Sequence, residues 1–146
     1  EDLLSLGRVL ERQGERGEAA RCYHMASLPR PVTCLAGLRQ RRAAGEAAFA
    51  LGLLYKRLGE HRRAAEVFEG LAVRGQMGIL PLVELAKYWE HRARDCGQAL
   101  SWTRRALMEA ATEAERAALE GRARRLKEKI DREGKSHGVS SQDRRP

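Results

Sequence analysis

Small and aromatic residues recur along the chain at a fixed spacing, and this pattern predicts repeated pairs of helices. Two copies align residue for residue at an offset of 45, namely Gly14, Ala19, Tyr23 and Gly59, Ala64, Phe68. Upstream of each glycine, Leu6-Gly7 and Leu51-Gly52 match at the same offset. Apolar residues three and four apart mark one face of a helix, and a glycine after such a stretch ends it in a left-handed conformation.

A third copy follows with small differences. Its first half begins at Leu85-Ala86 and includes Trp89, and its second half contains Ala99 and Thr103. Its turn, around residues 94–96, is one residue longer than in the second copy. Small residues let the two helices of a unit approach closely, and a large residue fills the space beside them. Such units bury their apolar faces by stacking on one another.

Over residues 2 to 110 this pattern resembles the tetratricopeptide repeat, whose consensus has the same small and aromatic positions. The Trp that opens the consensus is absent, and Ala48 stands there in the second copy. The resemblance implies an all-α fold, a short right-handed solenoid of three helical hairpins plus a C-terminal capping helix. It also implies a role in protein–protein interaction.

The predicted domain covers residues 1–133 and a disordered tail covers 134–146. The predicted units are 2–28, 33–74 and 80–110, with a capping helix at 112–133. The helix-breaking Pro29 and Pro31 separate the first two units. After them, either residues 32–44 form a helical stretch of their own or Thr33 caps a long helix. We expect the long helix, ending near Leu58, although Gly45 makes a break possible. Thr112 and Glu115 form a capping-box signature, and Leu119, Ala123, Leu126 and Ile130 form an apolar stripe after it.

A narrower resemblance concerns residues 54–103. The stretches 54–59, 82–95 and 99–103 are similar to the C-terminal helical repeats of bacterial proteins that carry a ribonuclease H-like exonuclease domain. This implies a non-catalytic module beside a nuclease-like domain, whose metal-binding carboxylates lie in that other domain. Since the chain does not begin with Met, we expect it to be part of a longer protein.

Composition supports helices and excludes several classes. The chain of 146 residues is 42% hydrophobic but only 5% aromatic, which disfavours strands. No apolar run approaches the ~18–20 residues that a membrane span needs, so we expect no membrane association. The three cysteines, Cys22, Cys34 and Cys96, are odd in number and widely spaced, which favours reduced thiols and a cytoplasmic location.

No catalytic or cofactor motif is present. The chain has no P-loop, GxGxxG, HExxH or nucleophile elbow. His24 with Cys22, and His91 with Cys96, lack the i, i+4 spacing that places two metal ligands on one helical face. We therefore expect no enzyme activity, no metal and no cofactor.

The first helices of such repeats line a concave surface, where we predict a groove for a protein or peptide partner. The predicted groove residues are Arg8, Arg12, Phe49, Leu53, Lys56, Arg57, Val83, Lys87, Glu90 and His91. This mixed apolar and basic set favours an acidic peptide. In relatives that clamp a terminal carboxylate, Asn residues stand where this chain has Arg8, Leu53 and Lys87. Because the chain has no Asn, that clamp is not expected.

Nucleic acid is the alternative partner. The chain has 28 Lys+Arg against 20 Asp+Glu, a net charge of +8, and excess positive charge attracts phosphates. Arg122, Arg125 and Lys129 share one side of the last predicted helix and are the candidate contacts. Acidic residues in the same helix dilute this charge, and aromatic stacking platforms are few. The oligomeric state is left open by the sequence.

Overall fold

A computed structural model describes residues 2–29 and 36–139, with side chains except those of Ala36 and residues 136–139. The described residues form helices and turns without any strand, so the fold class is all-α, as predicted. The seven helices are α1 (Leu3–Arg12), α2 (Arg16–Ser27), α3 (Ala36–Arg57), α4 (His61–Val73), α5 (Leu80–His91), α6 (Cys96–Glu109) and α7 (Glu113–Val139).

The chain divides into two compact units, Glu1–Pro81 and Leu82–Pro146. In the first unit α1 packs on α2, α3 packs on α4, and α2 packs on α3. Two helical hairpins therefore stack on each other, as a repeat requires to bury its apolar faces. In the second unit α6 packs on α7, and Trp89 of α5 packs against the core that these two helices form.

Each hairpin of the first unit is closed by a glycine that lies against an aromatic ring. A Cβ atom placed on Gly7 would lie 2.6 Å from Cε1 of Tyr23, and one on Gly52 would lie 2.5 Å from Cε1 of Phe68. Both rings are almost fully buried. The close approach of the helices explains why glycine recurs at this position. In the third copy the matching positions hold Ala86 and Thr103, both fully buried.

The turn glycines adopt the conformation that the sequence predicts. Gly14 has φ of 87° and Gly59 has φ of 79°. After Gly59, the N–H of Glu60 donates to the carbonyl of Tyr55 over 2.9 Å, which completes a helix-ending Schellman motif. In the longer third turn, Arg94 takes the left-handed conformation with φ of 56°.

The helix α3 is continuous through Gly45, which settles the alternative left open by the sequence. It ends at Arg57, close to the predicted end at Leu58. A Cβ atom on Gly45 would meet Gln76 at 3.6 Å, an ordinary contact. The predicted cap, Thr33, lies outside the described residues.

The capping helix α7 covers α6 with the predicted apolar stripe. Leu119, Ala123 and Leu126 are buried, and Ile130 packs against the same core. The capping box is confirmed, since the N–H of Glu115 donates to Thr112 Oγ1 over 3.2 Å and the N–H of Thr112 donates to Glu115 Oε2 over 3.2 Å. The helix runs to Val139, past the predicted end at 133, so residues 134–139 are helical and the prediction of a disordered tail is wrong for them. Residues 140–146 of the predicted tail lie outside the described residues.

Candidate partner-binding site

The predicted groove residues of the first unit lie on α1 and α3. On α1, Arg8 and Arg12 are exposed and stand one turn apart. Arg12 Nε donates to the carbonyl of Arg8 over 3.3 Å, which holds its side chain back along the helix. Both cations therefore face solvent on the same side of α1.

Glu11 ties this side of α1 to α2 and α3. Tyr23 Oη of α2 donates to Glu11 Oε2 over 2.9 Å. Arg57 of α3 donates to Glu11 Oε1 and forms an ion pair with it. Burial of the ring, with the hydrogen bond to Glu11 and its negative charge, raises the pKa of Tyr23 to about 12. The charges of Arg8 and Arg57 oppose that rise, so both guanidinium groups act on this hydroxyl.

On α3, Leu53 is half-buried and Lys56 is exposed beside Arg57. Phe49 is placed differently from the other predicted residues. Its ring lies 5.5 Å from that of Phe68, measured between centroids, so Phe49 contributes to the contact between α3 and α4. We use "first-helix face" for the set Arg8, Glu11, Arg12, Leu53, Lys56 and Arg57.

The first-helix face carries four cations and one carboxylate. Both oxygens of that carboxylate are engaged, by Tyr23 and by Arg57. The surface consequently has an excess of positive charge next to a half-buried leucine. Arg and Lys in such an arrangement bind carboxylates, and the leucine offers apolar contact.

The predicted groove residues of the second unit lie on α5. Val83 is half-buried, and Lys87 Nζ donates to Glu84 Oε1 over 2.7 Å. His91 is exposed and lies 3.6 Å from Glu90. Glu90 itself is held inside the unit, because its side chain is only 7% exposed and contacts two cations of α7.

Those two cations are Arg122, which donates to Glu90 Oε2 over 2.8 Å, and Lys129, which donates to Oε1. Burial of the carboxylate raises its pKa. The hydrogen bond from Lys129 and the charges of His91, Lys129 and Arg122 outweigh burial, so the pKa of Glu90 lies below its ordinary value. Glu90 is therefore an anion that joins α5 to α7.

This pairing engages two of the three predicted nucleic-acid contacts. Of the three residues, Arg122 is 17% exposed and bound to Glu90, and Lys129 is bound to the same carboxylate. Arg125 is exposed. Sequence reasoning missed the pairing because Glu90 and Arg122 are 32 positions apart and nothing in either helix alone indicates the contact.

No group of three or more His, Cys, Asp or Glu side chains stands close enough to hold a metal ion within the described part of the chain. Within the same residues, no helix combines the length and apolarity that crossing a bilayer requires.

Comparison with known proteins agrees with the repeat architecture. The family model for the tetratricopeptide repeat matches residues 3–31 and 47–79. These two segments contain the Gly7–Tyr23 and Gly52–Phe68 contacts. No curated protein matches the chain. The chain is a helical repeat protein similar to tetratricopeptide-repeat proteins, whose repeats generally mediate protein–protein interaction or scaffolding.

Proposed function

We propose that this chain is a non-catalytic interaction module that binds an acidic peptide or an adjoining domain through the first-helix face. The observation that carries the proposal is the contact of Arg57 with Glu11, which places the cations of α1 beside those of α3. The Glu11 carboxylate also accepts from Tyr23, so a buried hydroxyl fixes its position. Arg57, held by this carboxylate, loses less side-chain entropy on binding than a mobile cation would.

The location of the module is part of the same proposal. We place it in the cytoplasm, on the ground that the free thiols Cys22 and Cys96 suit a reducing compartment. The α5 residues Val83, Lys87 and His91 remain a separate predicted partner surface within the second unit, where Glu90 is bound to cations of α7.

The test uses fluorescence anisotropy with a labelled twelve-residue peptide of alternating Leu and Glu, and the same peptide with Gln in place of Glu. The variant Arg8→Gln/Lys56→Gln removes two cations from the first-helix face. The control Arg21→Gln/Arg62→Gln removes two exposed cations from the second helices α2 and α4. We expect about fivefold weaker binding for the first variant and no change for the control, as fits the loss of about 1 kcal/mol. Equal loss in both variants would overturn the proposal.

Nucleic-acid binding beside a nuclease-like domain is the alternative proposal. Exposed Arg124, Arg125 and Lys127 on α7 support it, and the engagement of Arg122 and Lys129 by Glu90 weakens it. Titrations against a short RNA, a single-stranded DNA and a duplex at two salt concentrations decide the question. Affinity that falls steeply with salt would favour the alternative, and absence of binding at low salt would eliminate it.

A further inference from the structure

A pocket of about 560 Å³ opens at one end of the first unit. It is lined by the first turn of α1, the end of α2, the N-terminal half of α3 and the residues that follow α4. We call it the end pocket. It shares no residue with the first-helix face, and its volume is within the range of about 300–1,000 Å³ typical of ligand sites.

One part of the end pocket is apolar. Leu3 and Leu4 of α1, Leu28 after α2, and Ala43 and Ala44 of α3 line it. Leu28 is 48% exposed although it lines the pocket. This part suits an apolar side chain of a ligand, whose burial would cover Leu28 as well.

Arg41 and Arg74 also line the pocket, and the side chain of Arg74 is held by a hydrogen bond. Gln76 Nε2 donates to the carbonyl of Arg41 over 3.2 Å, which fastens the segment after α4 to α3. Arg74 Nε donates to Gln76 Oε1 over 3.0 Å. A Cβ atom on Gly70 would lie 3.3 Å from a terminal nitrogen of Arg74, so this glycine leaves room for the guanidinium group. Arg41 and Arg74 both line the pocket, and Gln76 connects the guanidinium group of Arg74 to the backbone carbonyl of Arg41.

The carboxylate of Asp2, in the same lining, is already engaged as the cap of α1. Its Oδ1 accepts from the N–H of Leu4 over 3.1 Å, and its Oδ2 accepts from Ser5 Oγ over 2.7 Å. Two cations against one occupied carboxylate leave the end pocket with positive charge. The charge favours an anionic group beside Arg41 and Arg74 and disfavours one beside Asp2.

We propose that the end pocket binds a short acidic peptide segment of another protein, with one large apolar side chain in the apolar part and carboxylates on Arg41 and Arg74. The proposal goes beyond the function assigned to the first-helix face, because it names a second surface with its own partner chemistry. Both the apolar lining and the arginines are needed, since either one alone would select a different ligand.

The experiment measures binding of the labelled peptide acetyl-Gly-Phe-Gly-Glu-Glu-Glu-amide to the full chain by fluorescence anisotropy. The variant Arg41→Gln/Arg74→Gln should bind at least about tenfold more weakly, as expected when a charge-assisted hydrogen bond is lost. Arg42→Gln is the matched control, because Arg42 is an exposed neighbour on α3 that pairs with Glu46 and does not line the pocket. Replacing Phe of the peptide by Ser should weaken binding to a similar extent.

A charge-reversal experiment tests whether the loss of affinity depends on these two positions and not on the net charge of the chain. The variant Arg41→Glu/Arg74→Glu should bind the peptide that carries three Lys in place of three Glu, whereas Arg42→Glu should not. The variant Arg8→Gln/Lys56→Gln should leave binding of the acidic peptide unchanged, so failure of this proposal is distinguishable from failure at the first-helix face. Circular dichroism confirms that each variant is folded.

Three results would overturn the proposal. The first is an equal loss of peptide affinity in Arg42→Gln. The second is displacement of the peptide by single-stranded DNA with a steep salt dependence, which would assign the pocket to nucleic acid. The third is a mass in sedimentation that rises with concentration and falls in Arg41→Gln/Arg74→Gln, which would assign it to a second copy of this chain.

Discussion

Substituting Gly52 by Ala tests whether close helix approach holds the second hairpin together. The new Cβ atom would lie 2.5 Å from Cε1, 2.8 Å from Cζ and 3.1 Å from Cδ1 of Phe68. Carbon atoms prefer separations of about 3.5–4.0 Å, so the ring or the helix must shift by roughly 1 Å. Phe68 is almost fully buried and also contacts Phe49, which leaves the ring little space to move.

The matched control is Gly45→Ala in the same helix, where the new Cβ atom meets Gln76 at an ordinary 3.6 Å. Each substitution gains about 0.5–1 kcal/mol because alanine favours a helix over glycine. That gain cancels in the difference between the two variants. What remains is the overpacking at Phe68, for which we expect about 1–3 kcal/mol. Gly45→Ala should therefore be slightly more stable than wild type, and Gly52→Ala should be less stable than Gly45→Ala by that amount.

The assay is urea unfolding followed by far-ultraviolet circular dichroism, with tryptophan fluorescence as a second probe. Both tryptophans, Trp89 and Trp102, lie in the second unit, whereas the substitutions lie in the first. A shift in helix signal without a shift in fluorescence would locate the effect in the first unit. Equal stability of the two variants, with the same slope against urea, would refute the argument from close approach.

Three further outcomes are expected from contacts described above. Glu90→Gln removes the carboxylate shared by Arg122 and Lys129, and should lower the free energy of unfolding of the second unit by about 1–3 kcal/mol, measured by tryptophan fluorescence in urea. Because the pKa of Glu90 is lowered in the folded chain, its carboxylate stabilises the fold above the ordinary pKa of 4.5, and this stabilisation is lost as the pH falls below that value. If the free energy of unfolding of wild type and of Glu90→Gln fell in the same way with decreasing pH, this reasoning would be contradicted. Tyr23→Phe removes the hydrogen bond to Glu11 and should cost about 1 kcal/mol in unfolding followed by circular dichroism, and no loss would mean that Arg57 alone positions the carboxylate.

The repeat architecture was predictable because it depends on local spacing. A glycine after an apolar helix face predicts a left-handed turn, and Gly14 and Gly59 both adopt it. The capping box at Thr112 and the apolar stripe of α7 depend on positions within one helix, so they too were predicted. Each of these features requires only residues that are close in sequence.

Contacts between distant side chains were not predictable in the same way. Helical projection assigned Glu90 to the groove and Arg122 and Lys129 to a nucleic-acid surface. The structure joins all three, because the packing of α7 beside α5 decides which charges meet. Similarly, the spacing of Phe49 predicts a position in the groove and does not indicate that its ring lies against Phe68. The rotation of each helix within its hairpin sets such contacts, and the spacing of residues defines that rotation only approximately.

The uninterrupted length of α3 has a consequence for how this chain can change over evolution. With 22 residues, α3 spans about 33 Å, whereas α4, with 13 residues, spans about 20 Å. Residues 36–44 of the extra sequence between the first two repeats are thus accommodated as added helix, while Gly59 forms a tight turn at the other end of α3. Lineages could gain or lose whole turns at this end and so remodel the end pocket, without altering the aromatic contacts that keep each hairpin closed.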